Sequence, residues 1–212
     1  MTKYLQSNIS KFLWADVETT GLNPEKNFVH QVAGQLIIDG VIVDTFDYKF
    51  RPFETPLMED IPGKMAEEMT EALAVSGLTI NDVMSRKKTS KDCYLEFDRM
   101  LRKHIDKFDK NDKAVIGAYN AGFDAQFLSS WYNNHGNKYF FGLCHGGAYF
   151  DPLQMALMLE IKKGKRLFFP NRKLPTMCEH FGIELSKAHD AAHDIAATRR
   201  LAGVLWHELF GD

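Results

Sequence analysis

Cysteine is scarce in this sequence, and the three residues present, Cys93, Cys144 and Cys178, form no Cys-x-x-Cys pair. This scarcity argues against a disulfide framework and against a zinc knuckle, and it makes a reducing cytoplasm the expected location. No apolar run approaches the roughly 20 residues that a membrane span requires. The opening segment MTKYLQSNISKF also lacks the apolar core of a signal peptide.

A strong excess of one charge is missing as well. The chain has 26 Lys and Arg residues against 28 Asp and Glu residues, a net charge of −2, so no global basic charge indicates a nucleic-acid partner. With 45% hydrophobic and 25% charged residues, the composition excludes a disordered or fibrous protein. A length of 212 residues favours one domain spanning 1–212. Function must therefore be sought in local groups of residues.

The order of the secondary-structure signals predicts a mixed sheet flanked by helices. A buried strand is expected at 11–18, and Asp39-Gly40 is a strong hairpin signal between strands at 31–39 and 41–50. Further strands are expected at 114–119 and 149–150. Helices are expected at 65–75, along the apolar stripe from Leu95 to Phe108, and at 123–133, 153–161, 175–181 and 190–209.

Two acidic residues close the first predicted strand, in Asp-Val-Glu-Thr-Thr-Gly at 16–21. Side chains two residues apart on a strand point to the same face, so Asp16 and Glu18 are expected to project together. Their repulsion beside a core is costly, and a hard cation such as Mg²⁺, which prefers oxygen ligands, would remove that cost. A solvent-facing pair of carboxylates explains the same pattern without a metal ion.

A third carboxylate, Asp124, follows the predicted strand at 114–119 in the segment Asn-Ala-Gly-Phe-Asp. It fits either a functional site or the N-cap of the next helix, because Asp is a preferred N-cap residue. The two roles stay open at this point.

The last group is Ala-His-Asp-Ala-Ala-His-Asp at 188–194. Helix spacing places His189 with His193 on one face, and Asp190 with Asp194 on another. Asp190 can be explained as the N-cap of the predicted helix at 190–209. That role does not explain the two histidines or Asp194.

Taken together, Asp16, Glu18, Asp124 and Asp194 carry a charge of about −4, which two divalent cations would balance. Paired metal ions about 3.5–4 Å apart stabilise the attacking and leaving oxygens of a phosphoryl displacement. Histidine is suited to taking the proton from an attacking water. These residue types therefore predict phosphodiester or phosphoryl chemistry.

The same three segments resemble the motifs of the DEDDh 3′→5′ exonucleases, a DnaQ-like family that includes the proofreading epsilon subunit, RNase T and oligoribonuclease. Residues 16–21 resemble the first motif, 120–124 the second, and His189 with Asp194 the third. Similarity at Asp151-Pro152-Leu153 and at 177–183 extends the resemblance over about residues 11–205. It implies an α/β, ribonuclease H-like domain with a central five-stranded mixed β-sheet flanked by α-helices.

The resemblance also implies a role for each matching residue. Asp16, Glu18 and Asp194 would bind the first of two divalent ions, Mg²⁺ or Mn²⁺, and Asp16 would bridge to the second. Asp124 would hold the second ion largely through water, and His189 would be the general base. The substrate-binding set would comprise Thr19, Thr20, Gly21, Leu22, Asn120 and Phe123, with Leu22 wedged against the terminal base.

The sequence departs from the family pattern at Tyr119, where many members have His. His193 offers a second imidazole, so the choice of His189 as the base rests on its five-residue spacing to Asp194.

The activity implied is removal of nucleoside 5′-monophosphates from the 3′ ends of nucleic acid, with single-stranded DNA favoured and RNA trimming as the alternative. A second copy of the chain or a polymerase is a candidate partner. Residues 162–173, KKGKRLFFPNRK, contain six basic and no acidic side chains. They are either a substrate-binding segment or a solvated loop.

Three other functions compete with this interpretation. His189 and His193 have the spacing of a mononuclear zinc hydrolase. The repeated His-Asp pairs are also typical of HD-type phosphohydrolases, which would be all-helical. A non-catalytic nucleic-acid module on the same fold is the third, although all four carboxylates and the histidine are present.

Overall fold

The computed structural model of the chain describes residues 10–53, 63–164, 170–185 and 191–211. These contain one five-stranded sheet in the order β3-β2-β1-β4-β5. The strands are β1 (Lys11–Thr19), β2 (Val29–Ile38), β3 (Val41–Lys49), β4 (Ala114–Gly117) and β5 (Cys144–Phe150). The pairs β1–β2 and β2–β3 are antiparallel, whereas β1–β4 and β4–β5 are parallel. The mixed, five-stranded sheet is confirmed, and it does not fit the all-helical HD-type alternative.

The hairpin between β2 and β3 turns at the predicted dipeptide. Asp39 (φ 51°) and Gly40 (φ 80°) both adopt left-handed backbone. Two consecutive positive φ values define the tight hairpin turn that matches strand twist, and Asp-Gly is a preferred pair for it.

Seven helices lie in the described part of the chain. They are α1 (Gly63–Val75), α2 (Ile80–Met84), α3 (Ser90–His104), α4 (Ala121–Asn134), α5 (Pro152–Lys163), α6 (Leu174–His180) and α7 (Ala191–Phe210). Among the described residues, none of the helices combines the length and apolarity that a bilayer crossing would need. Helix α2 was not predicted, because its five residues are too few to show a helical period, although Thr79 and Asp82 form a reciprocal capping box at its start.

Several predicted boundaries are wrong. The buried face of α3 consists of Cys93, Tyr94, Phe97 and Leu101. Leu95 is 47% exposed, and Phe108, beyond the helix end, is 86% exposed, so neither belongs to the apolar stripe. Strand β4 ends at Gly117 because Asn120 turns the chain with a φ of 65°.

The two faces of β1 pack against different helices. Leu13, Ala15 and Val17 belong to the core formed with α3 and α4. Trp14 packs instead with Ile195 and Ala202 of α7. Because side chains alternate along a strand, Asp16 and Glu18 lie on the Trp14 side, which is the face covered by α7.

Candidate active site

The carboxyl end of β1 extends past its parallel neighbour. The pairing of β1 with β4 stops at Trp14 opposite Gly117, whereas β1 continues to Thr19 along β2. Asp16 and Glu18 therefore lie beyond the last paired residue of β4, beside the turn that leads into α4. The sheet provides an edge at which side chains from β1 and α4 can meet.

Asp124 occupies this edge from the first turn of α4. Its side chain is only 3% exposed, and its Oδ1 accepts a hydrogen bond of 3.0 Å from the backbone N–H of Val17. The N-cap of α4 is Asn120, so the N-cap interpretation of Asp124 is wrong. The carboxylate is instead fixed against the strand, between the two acidic positions of β1.

Asp194 reaches the same region from the first turn of α7, the helix that covers this face of β1. The pKa of Asp16 is raised well above its ordinary value, first by burial and then by the negative charges of Asp124, Glu18 and Asp194. Carboxylates from three distant segments are thus close enough to act on Asp16. This is the convergence that the sequence motifs predict.

The pKa of Asp124 is also raised, from 3.8 to about 8. Burial is the largest cause, and the charges of Asp151 and Glu18 add to it, whereas the hydrogen bond from Val17 opposes it. An anionic group kept in such surroundings destabilises the fold unless a positive charge compensates it.

The donor set fits a hard divalent cation, because it consists of carboxylate oxygens. Within the described residues, no three Asp, Glu, His or Cys side chains are already arranged as ligands of one ion. Mg²⁺ is commonly bound through one or two carboxylates, with water and substrate phosphates completing its shell. The residues that could hold such ions are Asp16, Glu18, Asp124 and Asp194.

This electrostatic cost leads to a prediction for metal-free protein. In EDTA at pH 8, Asp124→Asn should raise the midpoint of thermal unfolding by several degrees, since 1 kcal/mol corresponds to about 2–4 °C in a domain of this size. The amide keeps the acceptor for the Val17 N–H and removes the buried charge.

The sign follows from proton linkage. The pKa of Asp124 is raised in the folded state, so its protonation stabilises the fold. This stabilisation is fully present below the ordinary pKa of 3.8 and is lost as the pH rises through about 8. The advantage of Asp124→Asn should therefore shrink towards pH 4, and Mg²⁺ should stabilise the wild type more than the variant. An equal unfolding midpoint for both proteins at pH 8 would contradict the repulsion argument.

The predicted substrate-binding residues fall into two groups. Leu22 is 85% exposed and stands between two surface grooves. One groove, of about 440 Å³, is lined by Gly21 and the α1 residue Val75 among others. The second, of about 300 Å³, is lined by Asn120 and Phe123 together with Leu22. Exposed apolar Leu22 is thus placed where it could separate two bound groups.

The remaining residues of the first motif shape the loop itself. Thr20 is fully buried, and its Oγ1 accepts a 2.9 Å hydrogen bond from the N–H of Phe28. The Thr19 hydroxyl donates to the carbonyl of Gly21 at 2.7 Å. Gly21 has a φ of 156°, and a Cβ there would lie 2.5 Å from the side chain of Asn27. Only glycine fits this position, so the loop conformation depends on it.

Asp151 fixes the backbone at the starts of α4 and α5, and the sequence indicated only part of this role. Its carboxylate accepts hydrogen bonds from the backbone N–H groups of Asn120 (3.0 Å), Ala121 (3.1 Å) and Leu153 (2.9 Å). The Asp-Pro dipeptide indicates the cap of α5. Nothing in the sequence indicates that the same carboxylate also fixes the start of α4, and hence Asp124.

Two predicted features lie partly or wholly outside the described residues. His189 and Asp190 fall in 186–190, which the structure does not describe. His193 is exposed in the first turn of α7. In the basic segment, 165–169 also lies outside the described residues. Among the described cations of this segment, Lys163 forms an ion pair with Glu208 and Arg172 forms one with Glu160.

Comparison with known proteins agrees with this architecture. The RNase_T family model, described as exonuclease, matches residues 13–202. DNA polymerase III PolC-type of Halalkalibacterium halodurans is 28% identical over 200 residues, covering 93% of this chain and 11% of that protein. The Staphylococcus aureus enzyme is 27% identical over 183 residues, covering 86% and 10%. The chain spans about a tenth of the length of these relatives.

Solved structures share the fold. A zinc-bound complex of E. coli exonuclease I with single-stranded DNA superposes with a TM-score of 0.69 at 18% identity, covering 93% of this chain and 40% of that one. The complex of the same enzyme with a dT13 oligonucleotide gives 0.69 at 19% identity, covering 94% and 41%. The ribonuclease H-like fold is thereby confirmed. Because the family model matches most of its length, the chain belongs to the RNase_T family of DnaQ-like exonucleases.

Proposed function

We propose that this protein is a divalent-metal-dependent 3′→5′ exonuclease that releases nucleoside 5′-monophosphates, with single-stranded DNA as its favoured substrate. The observation that carries the proposal is that Glu18, Asp124 and Asp194 all lie close enough to Asp16, at one end of β1, for their charges to act on it. The PolC-type polymerase relatives and the DNA complexes of exonuclease I favour DNA over RNA. They also favour a polymerase as a partner. Trimming of RNA at the same site is the alternative.

Two divalent ions held by the four carboxylates would supply positive charge to the attacking and leaving oxygens of the phosphodiester. Asp124, fixed by the N–H of Val17, and Asp16, fixed in β1, keep the carboxylates at a constant separation. His189 would take the proton of the attacking water. The water oxygen would bond to phosphorus as the bond between phosphorus and the 3′ oxygen of the preceding nucleotide breaks. That 3′ oxygen would take a proton from solvent, and the phosphate would stay on the 5′ carbon of the released nucleotide.

Substrate positioning would depend on Leu22 and the grooves on both sides of it. The terminal base would enter one groove, and the exposed Leu22 side chain would separate it from the next base. Asn120 and Phe123 would form the opposite wall, and Asp151 would hold this wall in place through the backbone of Asn120. The full chain, 1–212, would act as a single domain.

The test is digestion of oligonucleotides of matched sequence, single- and double-stranded, as DNA and as RNA. We expect stepwise shortening from the 3′ end and nucleoside 5′-monophosphate products in Mg²⁺ or Mn²⁺, none in EDTA, and the highest rate on single-stranded DNA. A higher rate on RNA would select the trimming alternative. If the oligonucleotides stay intact with every metal ion and peptides are hydrolysed in Zn²⁺, the zinc-hydrolase hypothesis would replace this proposal.

A further inference from the structure

A third groove lies between α7 and the sheet, apart from the two grooves at Leu22. It has a volume of about 580 Å³, and its walls include Trp14 of β1, Phe150 of β5 and Trp206 of α7. Arg199 and Arg200 of α7 line it as well, and no acidic residue lines it within the part of the chain that the structure describes. Nothing in the proposed reaction uses these residues.

The apolar wall of the groove is a continuous row of aromatic rings. The Phe150 ring lies 5.8 Å from Trp14 and 5.8 Å from Trp206, measured between centroids. Trp14 can cross β4 because Gly117 has no side chain: a Cβ there would lie 2.7 Å from the indole. Trp206 is 48% exposed, so part of its indole is open to a ligand. Exposed indole of this kind suits stacking on a planar ring.

The charged wall is cationic and incompletely compensated. Arg199 donates to the side-chain oxygen of Gln35, a neutral partner. Burial lowers the pKa of Arg199, which means that its charge is partly removed from water. No ion pair of either Arg199 or Arg200 occurs among the described residues. Guanidinium groups in such a setting favour phosphate, which they can bind in a bidentate manner.

The groove shares both of its main elements with the carboxylate site. Trp14 precedes Asp16 by two residues on the same face of β1, a spacing of about 7 Å along a strand. Arg199 follows Asp194 by five residues on α7, about 7.5 Å along a helix. A nucleic-acid strand whose 3′ end lies at the carboxylates could therefore enter this groove within a few nucleotides.

We propose that this groove binds the part of a single-stranded nucleic acid that lies 5′ to the cleaved end, with bases on Trp206 and phosphates at Arg199 and Arg200. The inference rests on the proposed function and extends it. Alternating planar rings and phosphates match a wall of aromatic rings beside two guanidinium groups. An acidic peptide would use the charges, but it would not account for the continuity with the carboxylate site.

The test compares short and long substrates. Arg199→Gln combined with Arg200→Gln should raise the KM for dT20 and leave kcat near the wild-type value, while hydrolysis of dT3 stays unchanged. The salt dependence of dT20 binding should flatten by about 1.4 in log–log slope, since each phosphate contact on a single strand contributes about 0.7. The matched control is Arg99→Gln combined with Lys103→Gln, which removes the same charge. Both residues belong to α3, the helix on the opposite face of the sheet.

Trp206→Ala provides an independent variant without a charge change. It should weaken dT20 binding roughly 5- to 150-fold, the usual range for one base stacked on an aromatic side chain. Arg200→Gln alone, at an exposed residue, covers the case in which the double variant does not fold. Circular dichroism and thermal unfolding establish the fold of each variant.

Two results would overturn the groove proposal. One is that the groove variants change the hydrolysis of dT3 as much as that of dT20. The other is that the groove variants bind dT20 as tightly as the α3 control does. Loss of binding to an acidic, tryptophan-containing peptide with dT20 binding intact would assign the groove to a protein partner instead. Binding of dT20 to the Asp16→Asn protein, followed by fluorescence anisotropy, tests the groove even if no hydrolysis occurs, so failure of the exonuclease proposal remains distinguishable.

Discussion

Asp16→Ala is expected to lower the turnover of a 3′-labelled oligonucleotide by more than ~10³-fold while the protein stays folded. Removal of a single transition-state hydrogen-bond donor already costs about 10²–10³-fold in other enzymes. Asp16 should cost more, because it is the carboxylate on which the charges of Glu18, Asp124 and Asp194 all act. Single-turnover hydrolysis in Mg²⁺ measures the effect without a contribution from product release.

A matched control for this experiment is Glu179→Ala, which removes an exposed carboxylate from α6. It should retain wild-type turnover. The Asp16 variant should melt at the wild-type temperature or above it in EDTA, because it relieves repulsion among buried charges. Wild-type turnover in a folded Asp16→Ala protein would remove the two-metal assignment.

His189→Ala is expected to reduce the rate by roughly 10²–10⁴-fold, which is the usual contribution of a general base. Metal affinity should change little, because the proposed role of His189 is to accept a proton. The wild-type rate should rise with pH through the ordinary histidine pKa near 6.5, since only neutral imidazole accepts a proton, and the variant should lose this dependence.

His193→Ala is the comparison for that experiment, because both imidazoles belong to the segment 188–194. His193 lies in the described first turn of α7, whereas His189 is outside the described residues. A larger loss of rate in His193→Ala than in His189→Ala would transfer the role of base to His193. Equal losses of metal affinity and rate in His189→Ala would make His189 a metal ligand instead.

The sequence predicted the fold wherever one short segment contains the whole signal. The Asp39-Gly40 turn fixes the β2–β3 hairpin because its backbone preference is local. Strand β1 was predicted within one residue of its end. Strand β5 was predicted only at 149–150, because its first half contains two glycines and a histidine, which are poor strand signals, and the segment is ordered by pairing with β4.

The sequence motifs name the residues of the candidate site, and they indicate its geometry only in part. Period-two alternation places Asp16 and Glu18 on one face without knowledge of the fold. The choice for Asp124 between N-cap and site depends on its hydrogen bond to Val17, a contact between residues 107 positions apart. The grooves around Leu22 and along α7 join residues from distant segments, and no local pattern encodes such surfaces. The role of His189 stays a prediction.

The most direct test of the account is diffraction from crystals grown with Mn²⁺ and a nucleoside 5′-monophosphate, measured at the manganese absorption edge. A two-metal site predicts two anomalous peaks about 3.5–4 Å apart, with Asp16 between them and Glu18, Asp124 and Asp194 in contact with one or the other. Bound nucleotide with no manganese at these carboxylates, or manganese only elsewhere on the protein, would contradict it.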